Sequence, residues 1–253
     1  GVDMVHPVGG AQAIAAMAYG TESVRKVDVI VGPGNVYVAQ AKQQVAGAVG
    51  VPSAFTGPSE VVVVADGTSP AEFTATDLVA QAEHGPDGMS WLVTWNEAVA
   101  DAVDAALDRV LEDAPRGAEI AGTLASSGHC VLVDDKQQAL AVVDAIAPEH
   151  LQLMVADAEK LAGRVCNAGA VFLGPWTPTS IGDYVAGPSH VLPTAGTARF
   201  AGALTVADFT KDVNLVTADQ DALRRLGPHI EALAVAEGLE AHAESIRVRR
   251  QHG

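Results

Sequence analysis

The 253-residue sequence is poor in positive charge: 15 lysines and arginines face 31 aspartates and glutamates, for a formal net charge of −16. So acidic a chain repels phosphate backbones and anionic lipid surfaces, which excludes nucleic acid and membrane as expected partners. Its one basic cluster, Arg247, Arg249 and Arg250, is short and lies at the chain end, where its expected role is to cap the negative pole of a last helix. Cysteine is scarce as well. Cys130 and Cys166 have no CxxC spacing and no partner cluster, which predicts a reducing, cytoplasmic setting with both thiols buried as small hydrophobes. No apolar run reaches transmembrane length, no charged segment followed by an apolar one opens the chain, and there is no internal repeat or low-complexity stretch. What remains is an ordinary globular composition, 49% hydrophobic and 18% charged, long enough for one large domain or two modest ones without staples. The opening residues Gly1, Val2, Met4 and Val5, leading into His6-Pro7-Val8-Gly9-Gly10, read as the middle of a fold, so a fragment or processed product is expected.

Short β-branched runs alternate with amphipathic, alanine-rich stretches. Strands are predicted over residues 27–31, 60–65, 91–94, 130–133, 151–155 and 170–173. Helices are predicted over 34–46, 71–83, 97–112, 137–147 and 158–165. That rhythm implies parallel βαβ units in an α/β layer fold. Turn residues from Gly50 through Pro52 and Ser53 to Gly57-Pro58-Ser59 mark one boundary. From about Ala207 the strand rhythm fades, and 219–249 reads as helical with a break at Gly238. Such an arm packs either on a partner subunit or on its own domain.

Five short stretches could carry chemistry, and each has a plain alternative. Gly32-Pro33-Gly34-Asn35 opens a predicted helix, whose free N–H groups suit a phosphate; taken alone it reads better as a tight strand-to-helix turn. In Gln81-Ala82-Glu83-His84-Gly85, Gln81 and His84 stand three apart, on one helix face and within reach of one metal ion; alone, His84 reads as a helix-end histidine bonded to the last carbonyls. Glu149-His150 puts two bases of different basicity side by side, and a shared role needs the irregular geometry that Pro148 favours; adjacent pairs of this kind also arise by chance. The polar stretch from Gly182-Asp183-Tyr184 to Gly187-Pro188-Ser189-His190-Val191-Leu192-Pro193 reads as a ligand-crevice loop at a strand carboxyl end, or as a turn in which Asp183 satisfies its own backbone. Glu237-Gly238-Leu239-Glu240-Ala241-His242 reads as a solvated helix end.

Taken together these segments resemble the histidinol dehydrogenase family. The matching text includes Val8-Gly9-Gly10-Ala11-Gln12-Ala13-Ile14, Gly32-Pro33-Gly34-Asn35 with Ala41-Lys42, Gly57-Pro58-Ser59-Glu60-Val61, and Gln81-Ala82-Glu83-His84-Gly85. It continues with Pro148-Glu149-His150-Leu151, Gly182-Asp183-Tyr184, His190-Val191-Leu192-Pro193-Thr194 and Ala241-His242, all in family order. The match spans essentially the whole chain but only the C-terminal part of a typical member. Three departures stand out: the family's N-terminal region, with another residue that contacts NAD, has no counterpart. An expected Ile-Asp pair is missing from Val51-Pro52-Ser53-Ala54-Phe55-Thr56, and Gly187-Pro188-Ser189 is a mild variation.

The resemblance implies an α/β, Rossmann-like architecture in three parts. Residues 1–58 would be the remainder of an NAD-binding domain, 59–206 a catalytic, zinc-binding domain, and 207–253 a helical tail that completes a homodimer partner's active site. It implies Zn2+ ligands at Gln81, His84, Asp183 and His242, and a catalytic acid–base pair at Glu149 and His150. Substrate contacts would fall on Ser59, His190 and Glu237 together with the zinc ligands and His150, and NAD contacts on Gln12 and Asn35. The implied activity is the two-step, NAD-dependent oxidation of L-histidinol through L-histidinal to L-histidine, the end of histidine biosynthesis, in the cytoplasm. Two other readings stay open: a zinc- and NAD-dependent dehydrogenase of another polar alcohol, such as a sulfonated diol, and a non-catalytic module. Keeping Glu149 and His150 beside a full ligand set speaks against the last.

Overall fold

The computed structural model describes residues 1–52 and 57–252, so Ser53 to Thr56, where the departure from the expected Ile-Asp pair falls, lie outside the described residues. The chain divides into two compact units, Gly1–Phe209 and Thr210–Gly253.

The first unit is built on five parallel strands, β1 (Glu60–Ala65), β2 (Met89–Thr94), β3 (Gly128–Leu132), β4 (His150–Met154) and β5 (Ala170–Leu173), in the spatial order β3-β2-β1-β4-β5. Val61 pairs with His150 and Ser90, and His150 with Ala170, so the strand starts line up along one edge. β1 and β4 are buried along their whole length, as a central parallel strand covered on both faces must be. Alternate residues of β1 feed two cores. Val62 and Val64 join Leu151, Leu153, Leu140 and Val143 on one face. Val61 and Val63 join Leu78, Leu92, Val103 and Met154 on the other. Each fully buried valine contributes about 1.5–3 kcal/mol over its exposed state.

The covering helices follow from capped, periodic sequence. Before the sheet come α1 (Gly10–Tyr19) and α2 (Val36–Val45); between its strands run α3 (Ala71–Ala82), α4 (Glu97–Asp113), α5 (Gly117–Ser127), α6 (Lys136–Ile146) and α7 (Ala158–Ala162); α8 (Thr179–Tyr184) follows β5. Asn35, Asn96 and Asp135 each accept a backbone N–H of the first turn of α2, α4 and α6. The α/β layer fold expected from the alternation is the fold observed. α5 was not expected: its glycines, serines and threonine weaken the helical pattern, and it is held by Ile120 packing on Val79 and Ala82.

Three local expectations are corrected. Residues 27–31 form no strand; Ile30 is buried against Ile14 and Val45, but the segment's pairing is one isolated bridge, Val29 to Gly50, too little for a ladder. Cys130 and Cys166 are exposed, not buried: Cys130 lies on β3, an edge strand with a solvent face, and Cys166 follows α7 in a turn. The Gly182-Asp183-Tyr184 segment is the end of a short helix, α8, not a loop.

The second unit is a helical hairpin, α9 (Gln220–Ala236) and α10 (Glu240–Gln251), turned at Gly238 with φ +73. Gly227 lets the helices approach: a Cβ there would sit 2.5 Å from Arg250 Cδ. The terminal arginines do not chiefly cap α10. Arg247 pairs with Glu240 and Glu244 and Arg250 with Glu231, while Arg249 donates to the Ser245 carbonyl. Acids one to several turns away offer fuller partners than terminal carbonyls do.

Candidate active site

The chain leaves α6 through Ala147, whose left-handed backbone (φ 54, ψ 60) ends the helix, and Pro148 prevents its continuation. Glu149 then precedes His150, the first residue of β4. The close approach of Gly169, where a Cβ would lie 2.6 Å from the Glu149 carbonyl, secures this turn against the start of β5. The irregular passage lets two adjacent side chains converge where a regular strand would send them to opposite faces.

Glu149 and His150 are 8% and 7% exposed. Glu149 Oε2 accepts the Ser59 hydroxyl at 2.5 Å and the Glu60 amide at 3.3 Å, and lies 3.6 Å from His150 Nδ1. His150 Nδ1 is 3.3 Å from the Glu60 carbonyl, a group that can only accept, so this contact calls for a proton on Nδ1. Nε2 lies 3.8 Å from Asp183 Oδ1. Asp183 therefore turns to the histidine, not to its own backbone alone. Ser59 Oγ also lies 3.4 Å from Gln81 Oε1. Five of the sequence-expected residues, Gln81, Ser59, Glu149, His150 and Asp183, thus form one continuous run of contacts.

This run lies at the amino edge of the parallel sheet, not at the carboxyl edge where open α/β sheets usually carry ligands. Ser59 precedes β1, His150 opens β4, and Gln81 sits in the last turn of α3. The chain reaches Asp183 because α8 follows β5 and returns to that edge. Helix C-termini, here those of α3 and α6, present negative partial charge, which favours a cation over a phosphate.

Gln81 and His84 stand on either side of the end of α3, joined by a bond from the His84 amide to the Gln81 carbonyl at 3.2 Å. α3 ends at Ala82; Gln81 is buried and His84 lies beyond the helix, exposed in a turn. Gln81 Nε2 is buried with no partner among the described residues. Turned end for end, the amide would donate to Ser59 and leave its oxygen as the unpartnered end. An amide oxygen, an imidazole and a carboxylate at Gln81, His84 and Asp183 are donor types that suit zinc. Among the described residues, however, no three of His, Cys, Asp and Glu are gathered closely enough to hold a metal ion.

A cleft of about 210 Å³ opens beside Glu149, with Ser59, His190, Pro33 and Gly34 also on its wall. The glycine turn before α2 thus lines the same cleft as Glu149. Asn35 caps α2 by accepting from Val38 N at 3.1 Å, which leaves its amide nitrogen as the end to meet a ligand. Gln12, exposed on α1, is not among the cleft's lining residues. Glu237 and His242 lie in the second unit, both exposed, at the end of α9 and in the first turn of α10.

Two residues escaped the sequence reading. Glu60 is 1% exposed, and burial raises its carboxyl pKa, with the nearby Glu149 charge adding to the rise against the opposing amides of Gly196, Ala195 and Glu149. The signal was present: a glutamate opening the run Glu60–Ala65, buried on both faces, needs a dedicated partner. Lys42 is also 1% exposed; its ammonium donates to the Gly32 carbonyl, and burial lowers its pKa.

The sequence model described as histidinol dehydrogenase matches residues 1–250. The histidinol dehydrogenase of Cereibacter sphaeroides is 50% identical over 249 residues, covering 98% of this chain and 57% of its own length. That of Thermus thermophilus is 49% identical, covering 99% of this chain and 60% of its own. The crystal structure of histidinol dehydrogenase from Elizabethkingia anophelis superposes with a TM-score of 0.89 at 37% identity, over 96% of this chain and 56% of that one. The chain therefore spans a little over half the length of these relatives. With 250 of its residues matched by the family and its Glu149–His150 pair assembled at the amino edge of an α/β sheet, this chain belongs to the histidinol dehydrogenase family.

Proposed function

We propose that the chain is the catalytic portion of an enzyme that oxidises L-histidinol through L-histidinal to L-histidine, using two NAD in turn. The observation that carries this reading is the convergence of Ser59, Glu149, His150 and Asp183 through three contacts. Bound zinc would hold the imidazole and amine of the substrate and NAD would take up the hydride; Gln81, His84, Asp183 and, from the tail, His242 are the residues that would hold the metal.

The chain's own groups do the rest. His150 removes the carbinol proton through Nε2, while the Glu60 carbonyl holds Nδ1–H and fixes the ring. Ser59 and the Glu60 amide tie up Oε2 of Glu149, which leaves Oε1 to take a proton from the water that adds to the aldehyde. His190 and Glu237 would contact the substrate, and Asn35 and Gln12 the NAD. Holding alcohol and base in register supplies several kcal/mol of barrier reduction.

We read residues 1–58, 59–206 and 207–253 as an NAD-binding remainder, a catalytic domain and a tail serving a homodimer partner. We place this role in the cytoplasm; no helix among the described residues is long and apolar enough to cross a membrane. In the complete protein, Glu149→Gln is expected to leave oxidation of histidinol to the aldehyde level largely intact and to block formation of the acid. Equal loss of both steps in stopped-flow NADH traces refutes that division of labour. Turnover of a sulfonated diol in preference to histidinol refutes the substrate.

A further inference from the structure

Part of the cleft's lining beside Glu149 is a strap that runs from His190 to Thr197, and the strap has little regular structure of its own beyond the short 3-10 turn Thr197–Arg199 at its end. Something else must hold it. Ala195 and Gly196 both have left-handed backbones, φ 54 and φ 74, and for a residue with a Cβ such as Ala195 that conformation costs energy unless its surroundings enforce it. Successive N–H groups in such a bend converge into a cup for an anion. The cup is filled from within the protein. Glu60 Oε1 accepts the Gly196 amide at 3.3 Å, and the neighbouring Ala195 amide helps hold down the same carboxyl's pKa. A second stitch lies alongside, where Gly57 N donates to Thr194 Oγ1 at 2.5 Å.

Glu60 is at the same time the backbone neighbour of the catalytic pair, since its amide binds Glu149 and its carbonyl faces His150. Its backbone therefore orients Glu149 and His150 while its side chain anchors the strap. We propose that Glu60 is a positioning residue, whose buried carboxylate fills the Ala195–Gly196 cup and sets the distance of the His190 strap from Glu149. The link from strap position to substrate binding rests on the activity proposed above; the clamp itself does not.

The test uses hydrogen–deuterium exchange and steady-state kinetics on the complete protein with Glu60→Ala and Glu60→Gln. In E60A, amides of residues 190–200 are expected to exchange about tenfold faster, with peptides of β1 and β4 little changed. The histidinol KM is expected to rise about tenfold and kcat to fall less. E60Q keeps one acceptor oxygen and is expected to recover most of the strap's protection and to bring KM back toward the parent value. If E60A does not fold, Glu60→Asp, which withdraws the carboxylate by one methylene, takes its place with the same expected exchange. Unchanged strap exchange overturns the clamp whether or not histidinol is turned over. Protection lost evenly across the sheet overturns it in favour of a general fold role, and a fall in kcat alone points to an effect on Glu149 instead. If the parent protein does not oxidise histidinol, the proposed activity fails while the exchange result still decides the clamp.

Discussion

The two edges of the five-stranded sheet treat their carboxylates in opposite ways. At the carboxyl edge, Asp66 follows β1; its Oδ1 accepts from Thr68 N at 3.0 Å and from the Thr68 hydroxyl, and its Oδ2 from Ala156 N at 3.0 Å. Burial alone would raise its pKa, but the Thr68 hydroxyl, the two amides and Lys136 outweigh burial and hold the carboxyl below its ordinary value. This carboxylate staples the end of β1 to the end of β4, across the point where strand order reverses. At the amino edge, Glu60 is pushed up by burial and by the Glu149 charge, and Gln81 carries a buried polar atom with no partner among the described residues. One edge is satisfied and the other is left under electrostatic tension. Unsatisfied, desolvated groups mark the edge that has a ligand to meet.

Substitutions at the two edges should therefore separate activity from stability. The largest effect is expected at the amino edge: with His150 as the proposed base, His150→Ala in the complete protein is expected to lower kcat for histidinol about 10²–10⁴-fold, with an unfolding midpoint close to the parent's. Asp66→Ala should do the reverse. It costs about 0.5–1.5 kcal/mol in urea unfolding, because it removes the acceptor of the exposed Ala156 and Thr68 amides, and spares kcat per folded molecule. Its sign with pH follows from the lowered pKa: the parent's advantage is present above the ordinary aspartate pKa and vanishes as pH falls through the depressed one. Comparable loss of kcat in the two variants would break the contrast.

A buried acid between the edges sharpens it. Asp77, on α3, has its pKa raised to about 6 by burial, which the nearby Gln152 side chain only partly offsets. The protonated form is preferred in the fold, so stability is greatest below the ordinary aspartate pKa and declines as pH rises to about 6. Asp77→Asn removes that decline. It should gain about 1–2 kcal/mol over the parent at pH 7.5 and almost nothing at pH 3.5, read by thermal unfolding at both. The smallest effect belongs to the exposed edge strand: Cys130→Ser should change stability by less than about 0.5 kcal/mol. A cost of 2 kcal/mol would restore the buried thiol that the sequence suggested.

Much of the fold was legible in advance because it rests on local rules. The run Glu60–Ala65 needs no neighbour to be recognised as a buried strand, and α4 announces itself by an Asn96 cap and apolar positions facing one side. α5 was not legible, since its weak pattern is rescued by Ile120 meeting Val79 and Ala82, residues distant in sequence. The candidate site was legible as a set of residues through the family resemblance, but not as geometry. Spacing placed Gln81 and His84 on one helix face; the helix stops between them.

By itself, then, the sequence determined the alternation of elements, the kinship, and the identity of the groups offered for chemistry, because periodicity, capping and motif order are properties of neighbouring residues. Strand order and chain return decided the rest. They put Cys130 on an open edge, carried α8 back so that Asp183 meets His150, and assembled the contacts along the amino edge. No local pattern encodes which edge a returning chain reaches, since that depends on how two separated faces bury each other.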